Sequence, residues 1–405
     1  MLNLNKDKKY LLACSFGPDS MALFDMLLKE GFNFEVAHVN YHLREESDDE
    51  ERQLRAFCEN HRVKLHIYQN QNQFKSNIEA NCRELRYDFF SHLYAEGHFD
   101  GLLVAHNKDD LIETYLLQKK RKNLVYWYGL AEINQIKGMK VIRPLLDFRK
   151  KDLLAYCNNH SVPYSIDKTN LEPLFERNKI RINIVSKMNE QELSDVMQEI
   201  TDNNQKVKEI LKKISCVSNK IFDLKQLTDI EFAYYLNNQL QQLGIINPIT
   251  YKQSIEVGKF FKSNKANIAL FVANQKAIVY KTYESLIIEL NEEKFDPIIV
   301  NEPCIIDNRF LYADLVKEGS KRKIRIEDYP LKIRTLQSGD KVRVADYEVL
   351  VRRLFIDWKM PLPIRKRWPV FVNKDNKVIY VPRYQKDFSI EKSPYFYVKE
   401  CFTLK

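Results

Sequence analysis

Up to about residue 185 the chain alternates short, β-rich apolar runs with stretches of helical spacing, and this rhythm is its strongest architectural constraint. LLACSF (11–16), FEVAHVNY (34–41), VKLHIYQ (63–69) and GLLVAH (101–106) read as strands. Between and after them MALFDMLLKEG, SDDEERQLRAFCENH, NIEANCRELRYDFFSHLYAEG and DDLIETYLLQKK read as helices. Ser47 and Glu50 have the spacing of a capping box for the second of these. Such alternation predicts an α/β fold with a doubly wound parallel sheet. Ligands of such sheets bind beyond the carboxyl ends of the strands. The loops CSFGPDS (14–20), HVNYHLR (38–44) and AHNKDD (105–110) lie at such ends.

The texture then changes. QELSDVMQEITDNNQKVKEILKKI and DIEFAYYLNNQLQQLG are amphipathic helices by pattern, and IALFVANQKAIVYKTYESLIIEL reads as strands. The expected organisation is a catalytic domain over 1–185, a small, mainly helical domain over 186–290, a connector over 291–325 and a small mixed α+β domain over 326–405. The last carries the charge. Residues 321–369 hold 14 Lys and Arg against 6 Asp and Glu, nearly all of the chain's net +9. A localised basic excess suits a polyanion, RNA or DNA first, although a solvated Lys/Arg face has the same composition. The seven cysteines include no Cys-x-x-Cys pair and read as reduced thiols. No signal peptide and no apolar run near the ~18 residues of a membrane span is visible, so a soluble cytoplasmic protein with no membrane partner is expected.

Three motifs can carry chemistry. In Cys14–Ser20 the hydroxyls of Ser15 and Ser20 flank Gly17, Pro18 and Asp19 at a helix start, the setting in which backbone N–H groups hold phosphate. Asp19 can place Mg²⁺ against it. The loop has no Gly-Lys-Ser/Thr and is not a Walker A loop, and an ordinary strand-to-helix turn also accounts for it. In AHNKDDLIET, Asp109, Asp110 and Glu113 crowd a helix start, suited to Mg²⁺ or a cationic substrate, or simply to the helix dipole. Arg83 and Arg86 share a helix face, as do Arg177 and Arg181 beside Asn178, which suits phosphates or a solvated surface equally.

Taken in order, these motifs resemble the tRNA(Ile)-lysidine synthase family of the PP-loop, or N-type ATP pyrophosphatase, superfamily. The resemblance runs through CSFGPDS, AHVNYHLR (37–44), NIEANCRELRY (77–87), AHNKDDLIET (105–114), RPLL (143–146) and DKTNLEPLFERNKIR (167–181). It continues in RTLQSGDKV and RRLFIDWKMPLPIRKRWPVF (352–371), so it covers nearly the whole chain. It implies ATP as co-substrate with Mg²⁺, free L-lysine, and the minor isoleucine tRNA with a CAU anticodon. ATP would adenylate the wobble cytidine at the C2 oxygen, and the lysine ε-amine would then displace AMP.

The resemblance also implies roles. Ser15, Phe16, Gly17, Pro18, Asp19 and Ser20 would hold the phosphates, and Ala37, His38, Val39 and Asn40 would line the adenine side. Arg83, Arg86, His106 and Asp109 would orient phosphate or cytidine, and Asp110 with Glu113 would bind lysine. Arg177, Asn178, Arg181, Arg352, Arg353, Lys359, Arg365 and Arg367 would contact tRNA. A homodimer is one option for the oligomeric state. Phe16 stands where the family usually has Gly, Pro18 stiffens the loop, and Asn107 replaces a usual His. Two rival readings are a PP-loop tRNA 2-thiolation enzyme, which would want the missing Cys-x-x-Cys, and a non-catalytic RNA-binding relative.

Overall fold

The computed structural model describes residues 2–43, 46–70, 77–166, 176–245, 249–273, 277–290, 295–317, 324–384 and 395–399. Arg44, in the second strand-end loop, and residues 167–175 of the DKTNLEPLFERNKIR motif lie outside them. The chain forms two compact units, Met1–Lys208 and Glu209–Lys405.

The first unit is built on a six-stranded sheet. Its strands are β1 (Lys9–Ala13), β2 (Asn33–Asn40), β3 (Leu65–Gln69), β4 (Gly101–Val104), β5 (Ile133–Ile136) and β6 (Met139–Ile142), in the spatial order β3-β2-β1-β4-β6-β5. All pairings are parallel except the β5–β6 hairpin. Lys137 and Gly138, both at positive φ, turn that hairpin. The order reverses between β1 and β4, so the crevice at this switch point is where a ligand belongs. Register makes the site's edge level, because Ala13 pairs with both Ala37 and Val104.

Helices cover both faces. They are α1 (Pro18–Glu30), α2 (Ser47–Asn60), α3 (Ile78–Glu96), α4 (Lys108–Arg121), α5 (Lys150–Asn159), α6 (Glu176–Asn183) and α7 (Glu190–Ser215). Successive strand residues point to opposite faces. Leu12 therefore packs with Phe24, Leu27, Leu54 and Leu153 from α1, α2 and α5, while Leu11 packs with Tyr87 and Phe90 of α3. Pro18 sits at the first position of α1, where its missing N–H costs nothing, and Gly31 closes the helix at φ 73°.

Two expectations change. The Ser47/Glu50 capping box is absent: Glu46 is the N-cap, without a side-chain bond, and Glu50 accepts instead from the Ser165 hydroxyl at 2.7 Å. The first unit also extends past residue 185, because Leu193 and Ile200 of α7 pack with Leu111, Ile112 and Tyr115 of α4.

The second unit contains helices Asp229–Gln242 and Tyr251–Lys262 and an antiparallel sheet of Ile268–Ala273, Ala277–Lys281 and Leu286–Leu290. Four-, three- and two-stranded sheets follow between Ile298 and Val398, with short helices at Val351–Asp357 and Leu362–Arg367. The basic block ties these parts together. The Arg367 guanidinium is buried against Glu289, Arg365 donates to Met360 O and the Tyr283 hydroxyl, and Asn267 bonds to Met360 and Leu362.

Candidate active site

The loop after β1 is shaped from both ends. Phe16 takes a left-handed conformation, φ 62°, and its ring is fully buried in the core with Met21 and Phe24. A side chain in this region costs about 1–2 kcal/mol relative to glycine, an amount the ring's burial offsets. At this position, where the family usually has Gly, the ring is buried in the core while the backbone keeps a glycine-like turn. Ser165 N–H fixes the Phe16 carbonyl at 2.9 Å. Inside the turn the Ser20 hydroxyl donates to Gly17 O at 2.9 Å, while Ser15 is exposed.

Asp19 follows in the first turn of α1. Its Oδ1 is buried and has no hydrogen-bond partner among the described residues. Burial pushes its pKa up to about 6, with the Asp110 charge adding to the rise and Lys150, Asn107 and Arg181 opposing it.

A cavity of about 240 Å³ opens over this loop at the switch point. One wall is Ser15, Gly17, Asp19 and Ser20; another is Val39, Tyr41, Arg86, Tyr87 and Phe90; Ala105, His106 and Asp110 close it. Of the four residues expected on the adenine side, only Val39 lines it. Ala37 is a buried sheet residue, the His38 ring bonds Cys14 O at 2.9 Å, and the Asn40 amide holds Asp48 and Glu51. Tyr41, one residue beyond that expected set, donates to Cys82 O at 2.9 Å and faces the cavity. Arg83 and Arg86 lie over the Tyr87 ring, 4.8 and 5.9 Å from its centroid; Arg83 is exposed and Arg86 reaches the cavity.

His106 is set by a residue that the sequence flags only within RPLL. Arg143, brought beside β4 by the β5–β6 hairpin, donates from Nε to His106 Nδ1 at 3.0 Å. The imidazole proton therefore sits on Nε2. Burial, followed by the positive charge of Arg143 and its neighbours, pushes this pKa down to about 4, against the pull of Asp110. His106 is neutral at pH 7 and a weak base.

The carboxylates of α4 divide. Asn107, in place of the usual His, caps the helix: its Oδ1 accepts from Asp110 N at 3.0 Å, and Asn107 N donates to Asp110 Oδ2 at 3.2 Å. Asp110 reaches the cavity. Glu113 is fully buried and accepts from Arg177 Nε at 3.0 Å and from Arg181 Nε and Nη2 at 2.6 and 2.9 Å. Both guanidiniums also approach Asp110 Oδ1, at 3.3 and 3.4 Å. Arg177 and Arg181, expected on tRNA, thus neutralise the pair expected on lysine, and Asn178 between them is buried. Both oxygens of Asp109 bind Arg149 at 3.0 Å, and Oδ2 also accepts from Lys150 N at 2.8 Å, so it anchors the start of α5.

A second cavity, about 610 Å³, shares Ser15, Gly17 and Asp19 and runs past Lys150, Arg149, Ser165 and Arg181. In the second unit Arg352, Arg353 and Lys359 are exposed. Arg367, also expected on tRNA, is buried on Glu289, and Arg365 is half-buried and donates to Met360 O and the Tyr283 hydroxyl.

A parallel sheet whose switch point carries a hydroxyl–Asp–hydroxyl loop without a Walker lysine defines a PP-loop, ATP-using domain. Residues 1–188 match the PP-loop domain family. The chain is 30% identical over 398 residues to the tRNA(Ile)-lysidine synthase of Mycoplasma mycoides subsp. mycoides, covering 94% of this chain and 98% of that protein. It is 32% identical to that of Ureaplasma parvum (76% and 95% covered) and 30% identical to that of Lactococcus lactis (91% and 86%). The chain belongs to the tRNA(Ile)-lysidine synthase family.

Proposed function

We propose that this chain joins the ε-amine of free lysine to C2 of the wobble cytidine in the isoleucine tRNA with a CAU anticodon, in the cytoplasm. The observation that carries the reading is Asp19 Oδ1, buried and without a hydrogen-bond partner among the described residues, at the hydroxyl loop of the switch point. The names of the relatives and the lack of a Cys-x-x-Cys pair speak against 2-thiolation.

In the first step the cytosine C2 oxygen attacks the α-phosphorus of ATP, the α–β bridging bond breaks and pyrophosphate leaves. Ser15, the backbone of Gly17 and the start of α1 hold the phosphates. Val39, Tyr41 and Phe90 supply the apolar side for the adenosine, and Arg86 balances phosphate charge. A Mg²⁺ ion would fit at Asp19, which lines the cavity beside the loop and whose Oδ1 has no hydrogen-bond partner among the described residues, since this ion takes one or two carboxylates and completes its shell with phosphate oxygens. When bound it neutralises the phosphate charge that grows as the bond breaks. His106, neutral with its proton on Nε2, offers a hydrogen-bond donor to the cytosine or the α-phosphate.

In the second step the neutral lysine amine attacks C2, loses a proton, and AMP departs with the C2 oxygen. Asp110 is the carboxylate that meets the lysine ammonium at the cavity, in competition with Arg177 and Arg181. Glu113 acts behind it by holding those arginines. Arg352, Arg353 and Lys359 contact tRNA phosphates.

The test is pyrophosphate release from ATP, followed with and without tRNA and lysine. Release that needs tRNA but not lysine is expected. Asp110→Ala should keep that release and tRNA binding while losing lysine incorporation. Unchanged incorporation by Asp110→Ala would remove Asp110 from the lysine site, and release independent of tRNA would contradict the order of steps.

A further inference from the structure

The loop Ser15–Ser20 brings hydroxyls and backbone N–H groups to a triphosphate, but its own charged residue is an aspartate. Countercharge for the leaving pyrophosphate must come from elsewhere. Most cations beside the loop are already engaged. Arg143 is bound to His106, Ala131 O and Asn134; Arg149 is paired with Asp109; Arg181 is paired with Glu113 and Asp110. Lys150 differs. It is the first residue of α5 and half-buried, it lines the larger cavity with Ser15, Gly17 and Asp19, and its ammonium makes no hydrogen bond or ion pair with a described residue. Its backbone is held in place, because Lys150 N donates to the same Asp109 carboxylate that clamps Arg149. The ammonium is close enough to Asp19 to oppose the rise in that residue's pKa more than any other neighbour does.

We infer that Lys150 is the cation that holds the pyrophosphate half of ATP, reaching the phosphates from α5 across the cavity it shares with the loop. It takes the part that a Walker lysine plays from within its own loop. The larger cavity, which shares Ser15, Gly17 and Asp19 with the nucleotide pocket, is then where the cleaved pyrophosphate sits before release. Charge on the bridging oxygen and the β-phosphate grows as the α–β bond breaks, so a fixed ammonium there favours the transition state. Asp109 acts through this residue as a positioning group.

The inference rests on the reading of the loop as an ATP site, and its test does not need turnover. Inorganic pyrophosphate with Mg²⁺ is titrated calorimetrically into the full chain and into Lys150→Met, Lys150→Arg and Lys64→Met. Lys64 is exposed, lies 3.4 Å from Glu35 just before β3, away from the strand ends that carry the loop, and serves as a charge control. Lys150→Met should bind about tenfold or more weakly, the effect of removing one charge-assisted hydrogen bond. Lys150→Arg should stay within about threefold of the unaltered chain, and Lys64→Met should be unchanged. In turnover, Lys150→Met should raise KM for ATP and weaken inhibition by pyrophosphate by the same factor, with tRNA affinity and KM for lysine unmoved. Unchanged pyrophosphate affinity in a folded Lys150→Met overturns the inference, as does equal weakening in Lys64→Met. If the unaltered chain binds pyrophosphate through Lys150 but attaches no lysine to tRNA, the proposed function fails while this assignment stands.

Discussion

The loop edge of the parallel sheet and the basic block of the second unit use the same residue types in opposite ways. Around Ser15–Ser20, Asp19 Oδ1 is buried without a partner and the Lys150 ammonium is unpaired among the described residues. In the basic block, Arg367 and Arg365 are tied to Glu289, Met360 and Tyr283, and Arg334 is buried on Asp340 at 2.7 and 3.0 Å. The first region holds charge in readiness at a cost to stability. The second uses much of its charge to join its own parts and leaves Arg352, Arg353 and Lys359 outside. A basic composition therefore overstates how much of it can meet RNA, and an acidic residue matters most where nothing satisfies it.

Substitutions separate the two regions. The largest effect should come from Asp19→Asn, with pyrophosphate release falling at least about a hundredfold. The same change should stabilise the ligand-free protein, because a carboxyl whose native pKa is raised to about 6 is disfavoured when charged. The gain should be about 1–3 kcal/mol at pH 7, shrink as pH falls through 6, and vanish near pH 4. Chemical denaturation of both proteins across this range checks the sign; a stability loss at pH 7 would contradict it. Arg367→Ala should behave in the reverse way. Removing the guanidinium from the buried Glu289 carboxylate should cost about 3–5 kcal/mol, while the folded fraction keeps its salt dependence of tRNA binding.

Phe16→Gly sharpens the contrast inside the loop. It relieves a left-handed backbone but empties a buried ring site, for a net loss of about 2–4 kcal/mol. Faster turnover without loss of stability would show that the ring hinders the phosphates after all. The smallest stability effect belongs to Arg352→Ala, within about 0.5 kcal/mol of zero. Its signature is instead a shallower salt dependence of tRNA binding, by about 0.7–0.9 in the logarithmic slope for each phosphate left without its cation.

Much of the first unit is legible in the sequence because its physics is periodic. Apolar runs of strand length alternate with helical spacing, and the three strand-end loops locate the switch point. The β5–β6 hairpin leaves no such signal, and with it goes the reason Arg143 stands beside His106. The site residues are legible by type, but their pairing is not. Nothing in the spacing of AHNKDDLIET and ERNKIR says that Glu113 would bury itself between Arg177 and Arg181, or that Asp109 would clamp Arg149 from forty residues away. Long-range ion pairs leave no local pattern. The same holds for Lys150, one lysine among many until α5 is seen to start beside Asp19. Asn107 is the converse case: it departs from the family's residue, yet its capping role is one that Asn at a helix start fills well.

The central claim is most directly tested by incorporation of labelled lysine into purified, unmodified isoleucine tRNA bearing the CAU anticodon, with and without ATP and with a methionine tRNA as control. ATP-dependent label in the isoleucine tRNA alone is the predicted result. Bound tRNA without label, or label in the methionine tRNA, would contradict it.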